Sequence, residues 1–297
     1  MSTLDSTEAE GVDVNPYRVG LYLALGVLLL FFLAPIETGI VTSFKTPDAV
    51  STTSPLVPSI QGFTLQNYAN AVQQLARGMV NSLLYAVPAT ILSALFGSFA
   101  AYGLTLTDWR GQVGVLLLFV AGIFIPYQAV LVPLTQFFSI LGLSKLAIWS
   151  LLGIDNAYAG IVELIITHTA YGIPICTILF RSYYKGMSEE MLESARLEGA
   201  TVRRAYRRIV FPLSTPMFAV VLIYQFTQIW NDLLFALVLV QAESSAAAPV
   251  TLILAGLGAS QSGTIFGLRM AGAFVAALPT LAVYILFGEE FAEGVAT

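Results

Sequence analysis

Residues 19–41 read VGLYLALGVLLLFFLAPIETGIV, with Glu37 the single charged side chain, near the far end. A helix that crosses a bilayer needs about 20 predominantly apolar residues. This stretch has that length, and it is apolar on every side, as a lipid-embedded helix is and a surface helix is not. Carried outward, the same test finds further spans over 80–106, 113–138, 157–180, 211–239 and 270–287. The uncharged run around the third exceeds one span, and Pro126 and Pro133 break it; a helix is expected to about Phe138, then a short outer loop or re-entrant piece around 141–151. The Gly/Ala/Ser-rich stretch 241–267 is too apolar for an ordinary solvated loop; a membrane-dipping piece and a surface connection both remain open. The expected fold is an all-α polytopic membrane protein with about six transmembrane helices.

Composition agrees. Hydrophobic residues fill 57% of the 297 positions and charged residues 10%, against about 45–50% and 25% in soluble domains. Lipid acts as an apolar solvent for the outer faces of such helices. Asp5, Glu8, Glu10 and Asp13 make the start of the chain acidic and aperiodic. Residues 1–16 are therefore expected to form a disordered acidic cytoplasmic tail. It lacks the basic segment and apolar run of a secretory signal peptide. The membrane domain is expected over 17–297, with its core at about 76–288. No soluble basic domain exists to bind nucleic acid. Cys176 and His168 are each the sole residue of their kind, so neither an intrachain disulfide nor a metal cluster is expected.

Orientation follows from the cations, which cytoplasmic loops retain. The connection after the fourth span holds Arg181, Lys185, Arg196, Arg203, Arg204, Arg207 and Arg208 out of 13 lysines and arginines in all. That connection is expected inside, and six spans then put both termini inside. Lys45 and Arg77, flanking the first outer loop, point the other way.

The same connection reads as two short helices separated by Gly199. Ser188 is placed to cap the first, with Glu189 and Glu190 in the turn where the helix dipole favours acids. Met187, Met191, Leu192 and Ala195 share one face. Gly199 can end that helix in a left-handed conformation. Thr201 can cap the second, which the arginines stripe before Pro212. The arginines alone suit an anionic lipid surface equally well. A compact helix–Gly–helix unit with an apolar face suits a groove on another protein.

Glu193-Ser194-Ala195-Arg196-Leu197-Glu198-Gly199-Ala200, followed by Ile209-Val210-Phe211-Pro212-Leu213 and Pro216, resembles the "EAA" loop of binding-protein-dependent ABC importer permeases. Ser194 stands for an alanine of that pattern and Glu198 for its aspartate. Phe63-Thr64-Leu65-Gln66-Asn67-Tyr68, Asn81-Ser82-Leu83, Pro126-Tyr127-Gln128, Val132-Pro133-Leu134, Leu141-Gly142-Leu143 and Trp230-Asn231-Asp232 are similar, in order and spacing, to the carbohydrate branch and its maltose-type second permease subunit. The end, Glu289-Glu290-Phe291-Ala292-Glu293-Gly294, looks like the family's closing segment.

The resemblance implies a non-catalytic permease that imports a sugar or related polyol by alternating access. It implies two cytoplasmic ABC ATPase subunits, a second and different permease chain, and an extracellular substrate-binding protein as partners. The ATPase-coupling loop would comprise Glu193, Ser194, Ala195, Glu198, Gly199, Ala200 and Pro212. No G-x-x-x-x-G-K-[ST] sequence occurs, so ATP and magnesium would be used by the partner ATPase, and this chain would hold no cofactor.

Polar residues at membrane depth tend to face a cavity or a partner. Glu163 lies near the outer end of its span, where the interface suffices to explain it. His168 is deeper, and a pathway role and an interhelical hydrogen bond stand equal for it. Gln225, Gln228 and Asn231, with Tyr224 alongside, form a polar stripe that suits either a sugar path or a helix contact. His168, Tyr224, Gln225, Gln228 and Asn231 are the expected path-lining residues. Two other classes were weighed. A secondary transporter needs internal repeats or ionisable coupling sites, and none is convincing here. An intramembrane enzyme needs a nucleophile–base pair, metal cluster or acidic motif, and one His with one Cys supplies little.

Overall fold

The structure, a computed structural model, describes residues 16–107, 109–260 and 263–296. The acidic tail expected over 1–16 lies outside the described residues, except that Pro16 opens the first helix.

Helix α1 (Pro16–Ser43) follows the quoted apolar stretch. After short α2 (Pro47–Thr52), α3 (Gln66–Thr105) runs 40 residues, or about 60 Å. It starts well before the apolar stretch at 80, because its polar first turns are anchored: Asn67 Nδ2 donates to the carbonyls of Ser43 and Lys45, both at 2.9 Å. The third span breaks at the first of its two prolines and not at the second. It is two helices, α4 (Gln112–Phe124) and α5 (Tyr127–Leu141), parted at Ile125-Pro126. Proline removes an N–H and pushes the preceding residue out of the helical region, and Ile125 is extended there. Pro133 is absorbed within α5.

Helix α6 (Ile148–Leu152) and two 3₁₀ turns lead to α7 (Ala159–Tyr184). Then come α8 (Glu189–Leu197), α9 (Val202–Ala205), a π-helical turn (Tyr206–Val210) and α10 (Phe211–Leu213). Segment Val202–Leu213 meets α11 (Thr215–Trp230) at 75°. The fifth span also departs from one helix over 211–239. It breaks at 231–233 and resumes as α12 (Leu234–Leu239), where the Asp232 carboxylate accepts from the Phe235 N–H at 3.1 Å. Helix α13 (Val250–Gly256), a two-stranded ribbon of β1 (Ala259–Ser260) and β2 (Gly263–Thr264), and α14 (Phe266–Ala296) complete the chain.

Five of these segments are long and apolar enough to cross a membrane, or six when the bent pair counts as one. The chain is an all-α polytopic membrane protein. Helix α3 packs along α7 as the spine. Gly97, Ser98 and Ala101 are buried there, and a Cβ on Gly97 would run into Cys176. Small residues permit such close approach where apolar burial alone gives no drive. One core layer gathers Tyr85, Phe226, Trp230, Phe235 and Val250; the other gathers Phe180, Tyr184, Leu192, Tyr206 and Val210.

Part of the stretch 241–267 folds against the bundle: Ala247, Ala248 and Val250 are fully buried, while 241–244 stay exposed. From α3, Asn81 Nδ2 donates to the carbonyls of Ala246 and Ala248, and the Ser82 hydroxyl accepts from the Val250 N–H, all at 2.9 Å. From α14, Arg269 donates to the carbonyls of Ala255 and Leu257, both at 3.1 Å, at the end of α13 where a cation complements the helix dipole.

Candidate functional site

Two regions collect the residues singled out from the sequence. The first is the helix–Gly–helix segment. Ser188 caps α8 by accepting from the Met191 N–H at 3.4 Å, and Thr201 caps α9 by accepting from the Arg204 N–H at 3.3 Å. Gly199 takes φ +80°, and the Ala200 N–H returns to the Ala195 carbonyl at 2.9 Å. This is a left-handed helix stop. A Cβ there would meet nothing within 4 Å, so backbone conformation rather than space demands the glycine.

The apolar face of α8 does not point outward. Leu192 is buried in the second core layer and Ala195 is buried too, with Met187 and Met191 half-buried. Arg196 Nη2 ties the helix to the Leu106 carbonyl at 2.5 Å. The free face carries Glu190, Glu193, Ser194 and Leu197, which share one side of a helix by spacing. Leu197 is 89% exposed. Glu198 and Pro212 are exposed, and Ala200 is half-buried. The surface that α8 leaves open is therefore an acidic face ending in one leucine, not the apolar stripe.

Beneath this segment the Ser98 hydroxyl lies 2.6 Å from that of Tyr184 and 2.7 Å from that of Tyr206. Tyr206 begins the π-helical turn, and Tyr102 Oη donates to the Val202 carbonyl at 3.2 Å.

The second region is a cavity of about 50 Å³ between α5, α7 and α11. His168, Tyr224, Gln225 and Gln228, four of the five path residues expected, line it. Asn231 does not: it is exposed, and its Nδ2 donates to its own helix at the Thr227 carbonyl, 2.8 Å away. The stripe is therefore divided. Gln225 is buried, with its Oε1 3.9 Å from Cys176 Sγ, while Gln228 Nε2 donates to Tyr224 Oη at 3.1 Å.

Asp232, a polar residue at membrane depth by sequence, also lines this cavity, while Tyr127 and Tyr171 are not expected there from sequence. Tyr127 follows the helix break at Pro126, and Asp232 lies in the break before α12, where its carboxylate accepts from the Phe235 N–H. His168 stacks on Tyr85 at 5.5 Å and meets Phe235 edge-on at 5.3 Å. Its Nε2 has no hydrogen-bond partner among the described residues and lies 3.6 Å from Asp232 Oδ2. Glu163 lines a separate cavity of about 210 Å³ with Lys145 and Gln241. Among the described residues no group of His, Cys, Asp and Glu could hold a metal ion.

Comparison with known proteins gives a consistent picture. The family model described as "binding-protein-dependent transport system inner membrane component" matches residues 93–288. The xylose/arabinose import permease protein XacI of Haloferax volcanii is 51% identical, over 96% of this chain and 94% of its own length. A probable ABC transporter permease protein of Pyrococcus horikoshii, PH1216, is 40% identical over 95% and 96%. In fold, a chain from the crystal structure of a bacterial ABC transporter involved in importing the acidic polysaccharide alginate matches with a TM-score of 0.71 at 19% identity, over 96% of this chain and all of that one.

Proposed function

The chain belongs to the family of binding-protein-dependent transport system inner membrane components, and on that premise we propose that it is the permease subunit of an ABC importer for a neutral sugar, most simply a pentose. The pentose assignment is carried by the likeness to the xylose/arabinose permease. The chain itself is not an enzyme. Two cytoplasmic ATPase subunits hydrolyse ATP with magnesium, a second and different permease chain completes the pathway, and an extracellular binding protein delivers the sugar. The arginine-rich connection faces the cytoplasm, as do both termini.

The single observation that carries the coupling role is the free face of α8, which presents Glu190, Glu193, Ser194 and Leu197 while its apolar face is already occupied. Such a face suits an ATPase cleft that is basic around one apolar slot. Closure of the two ATPases would draw α8 and Gly199 inward, and the α9–α11 bend would pass that motion to span five. Residues of this loop transmit force and do no chemistry.

Uptake in vesicles holding the partner permease and ATPases, with binding protein added, tests the reading. Proline cannot adopt the φ of +80° at Gly199. Gly199→Pro is expected to insert into the membrane yet lose both ATPase association and pentose uptake. A variant that inserts, binds the ATPase and transports normally would overturn the coupling role and raise the secondary-transporter alternative.

A further inference from the structure

Among the described lining residues, the cavity between α5, α7 and α11 contains one acid, Asp232, and neither lysine nor arginine. The rest is neutral hydrogen-bonding and aromatic surface: His168, Tyr127, Tyr171, Tyr224 and Gln228 are among the residues that line it. Tyr127 and Tyr171 lie edge-to-face at 5.0 Å, and both rings pack on Phe235 at 5.2 Å. The Asp232 carboxylate is fixed in place by the Phe235 N–H, and its backbone carbonyl accepts from Thr251 Oγ1 at 2.7 Å.

His168 is 5% exposed, its Nε2 lacks a hydrogen-bond partner among the described residues, and it lines this cavity. Buried polar atoms are rarely left unpaired without a reason. A cavity of about 50 Å³ has room for about two water-sized groups, so it accommodates sugar hydroxyls, which both donate and accept, but not a whole sugar ring. An anionic ligand would find no free counter-charge, because the one imidazole already faces Asp232.

We infer that this cavity is a substrate subsite within this chain, that it grips the hydroxyl edge of a neutral sugar, and that Asp232 excludes sugar acids and sugar phosphates. The inference rests on the sugar-importer reading above and adds a location and a charge rule to it. His168, Asp232 and the Tyr127 hydroxyl hold sugar hydroxyls, Tyr171 adds aromatic surface, and Gln228 with Tyr224 closes one side. The fixed carboxylate makes the pocket a filter on charge, independent of what the binding protein delivers.

The test is direct binding, without binding protein, to the permease pair and ATPases in nanodiscs. The probes are radiolabelled xylose and glucuronate. Wild type is expected to retain xylose and not glucuronate. Tyr127→Phe and His168→Gln are expected to weaken xylose retention about tenfold or more, the loss typical of one buried polar contact. Asp232→Asn keeps a side-chain oxygen to accept from the Phe235 N–H, and is expected to weaken xylose and admit glucuronate. Equal retention of both ligands by wild type overturns the charge rule. Xylose retention that is absent in wild type, or unchanged in all three variants, overturns the subsite. In either case vesicle uptake by wild type would leave the importer reading standing, and its absence would remove that reading separately.

Discussion

The Ser98 hydroxyl lies 2.7 Å from the hydroxyl of Tyr206, so a residue near the C-terminal end of α3 is bonded directly to the π-helical turn that follows α9. Tyr184, at 2.6 Å, shares the same oxygen. Ser98→Ala would leave two buried phenols short of a partner, at a cost of about 1–3 kcal/mol. Tyr206→Phe removes its own hydroxyl with the bond and leaves the Ser98–Tyr184 pair intact. Thermal unfolding of the purified complex is expected to fall further for Ser98→Ala than for Tyr206→Phe. The reverse order would show that the hydroxyl cluster contributes little.

Leu192 and Leu197 sit on opposite sides of one short helix and should behave oppositely. Leu192 is 4% exposed in the core, and Leu192→Ala is expected to destabilise by about 2–5 kcal/mol. Leu197→Ala is expected to leave stability within about 0.5 kcal/mol while weakening ATPase binding about tenfold, as for an anchor that fills a pocket. Unfolding midpoints and ATPase pull-down titrations, measured on both variants, separate the two roles.

Gly199 distinguishes conformation from crowding. With φ +80° and open space around a Cβ, Gly199→Asn should couple nearly as well as wild type, because asparagine tolerates this region. Gly199→Val carries the full left-handed penalty of about 1–2 kcal/mol, more for its branched Cβ. Uptake that falls equally in both would mean the partner needs a bare backbone at this point.

Asn81 tests the clamp on the returning segment. Asn81→Ala removes both bonds to 246 and 248, about 1–3 kcal/mol in all. Amide exchange across 246–250 is expected to speed up about tenfold or more, with α7 unchanged. Unchanged exchange would show that Arg269 and Ser82 hold the segment without it.

The spans were legible because a bilayer imposes a length and a polarity that composition reveals directly. Ser188, Gly199 and Thr201 were legible because capping is local chemistry. What hid was set by contacts distant in sequence. Leu192 and Ala195 form an apolar face in any reading, but only the fold shows that the chain's own core takes it. Pro126 was visible as an interruption, while its consequence, Tyr127 turned into the cavity, needed the break located. Asn231 matched the stripe by spacing and left it because α11 ends there and its side chain folds back onto Thr227. The burial of 247–250 depends on Asn81 and Ser82, and the end of α13 on Arg269, none of which lies within 241–258.

The 75° turn at Ser214 gives the molecule mechanical leverage. Segment Val202–Leu213 forms an arm about 18 Å long, pivoting where α11 begins. A push of about 3 Å at its Gly199 end would swing the arm by roughly 10° on that geometry. The head of α11 would turn with it, and the cavity wall formed by Tyr224 and Gln228 belongs to α11. A small stroke at the bundle's end is thereby geared into rotation at its centre.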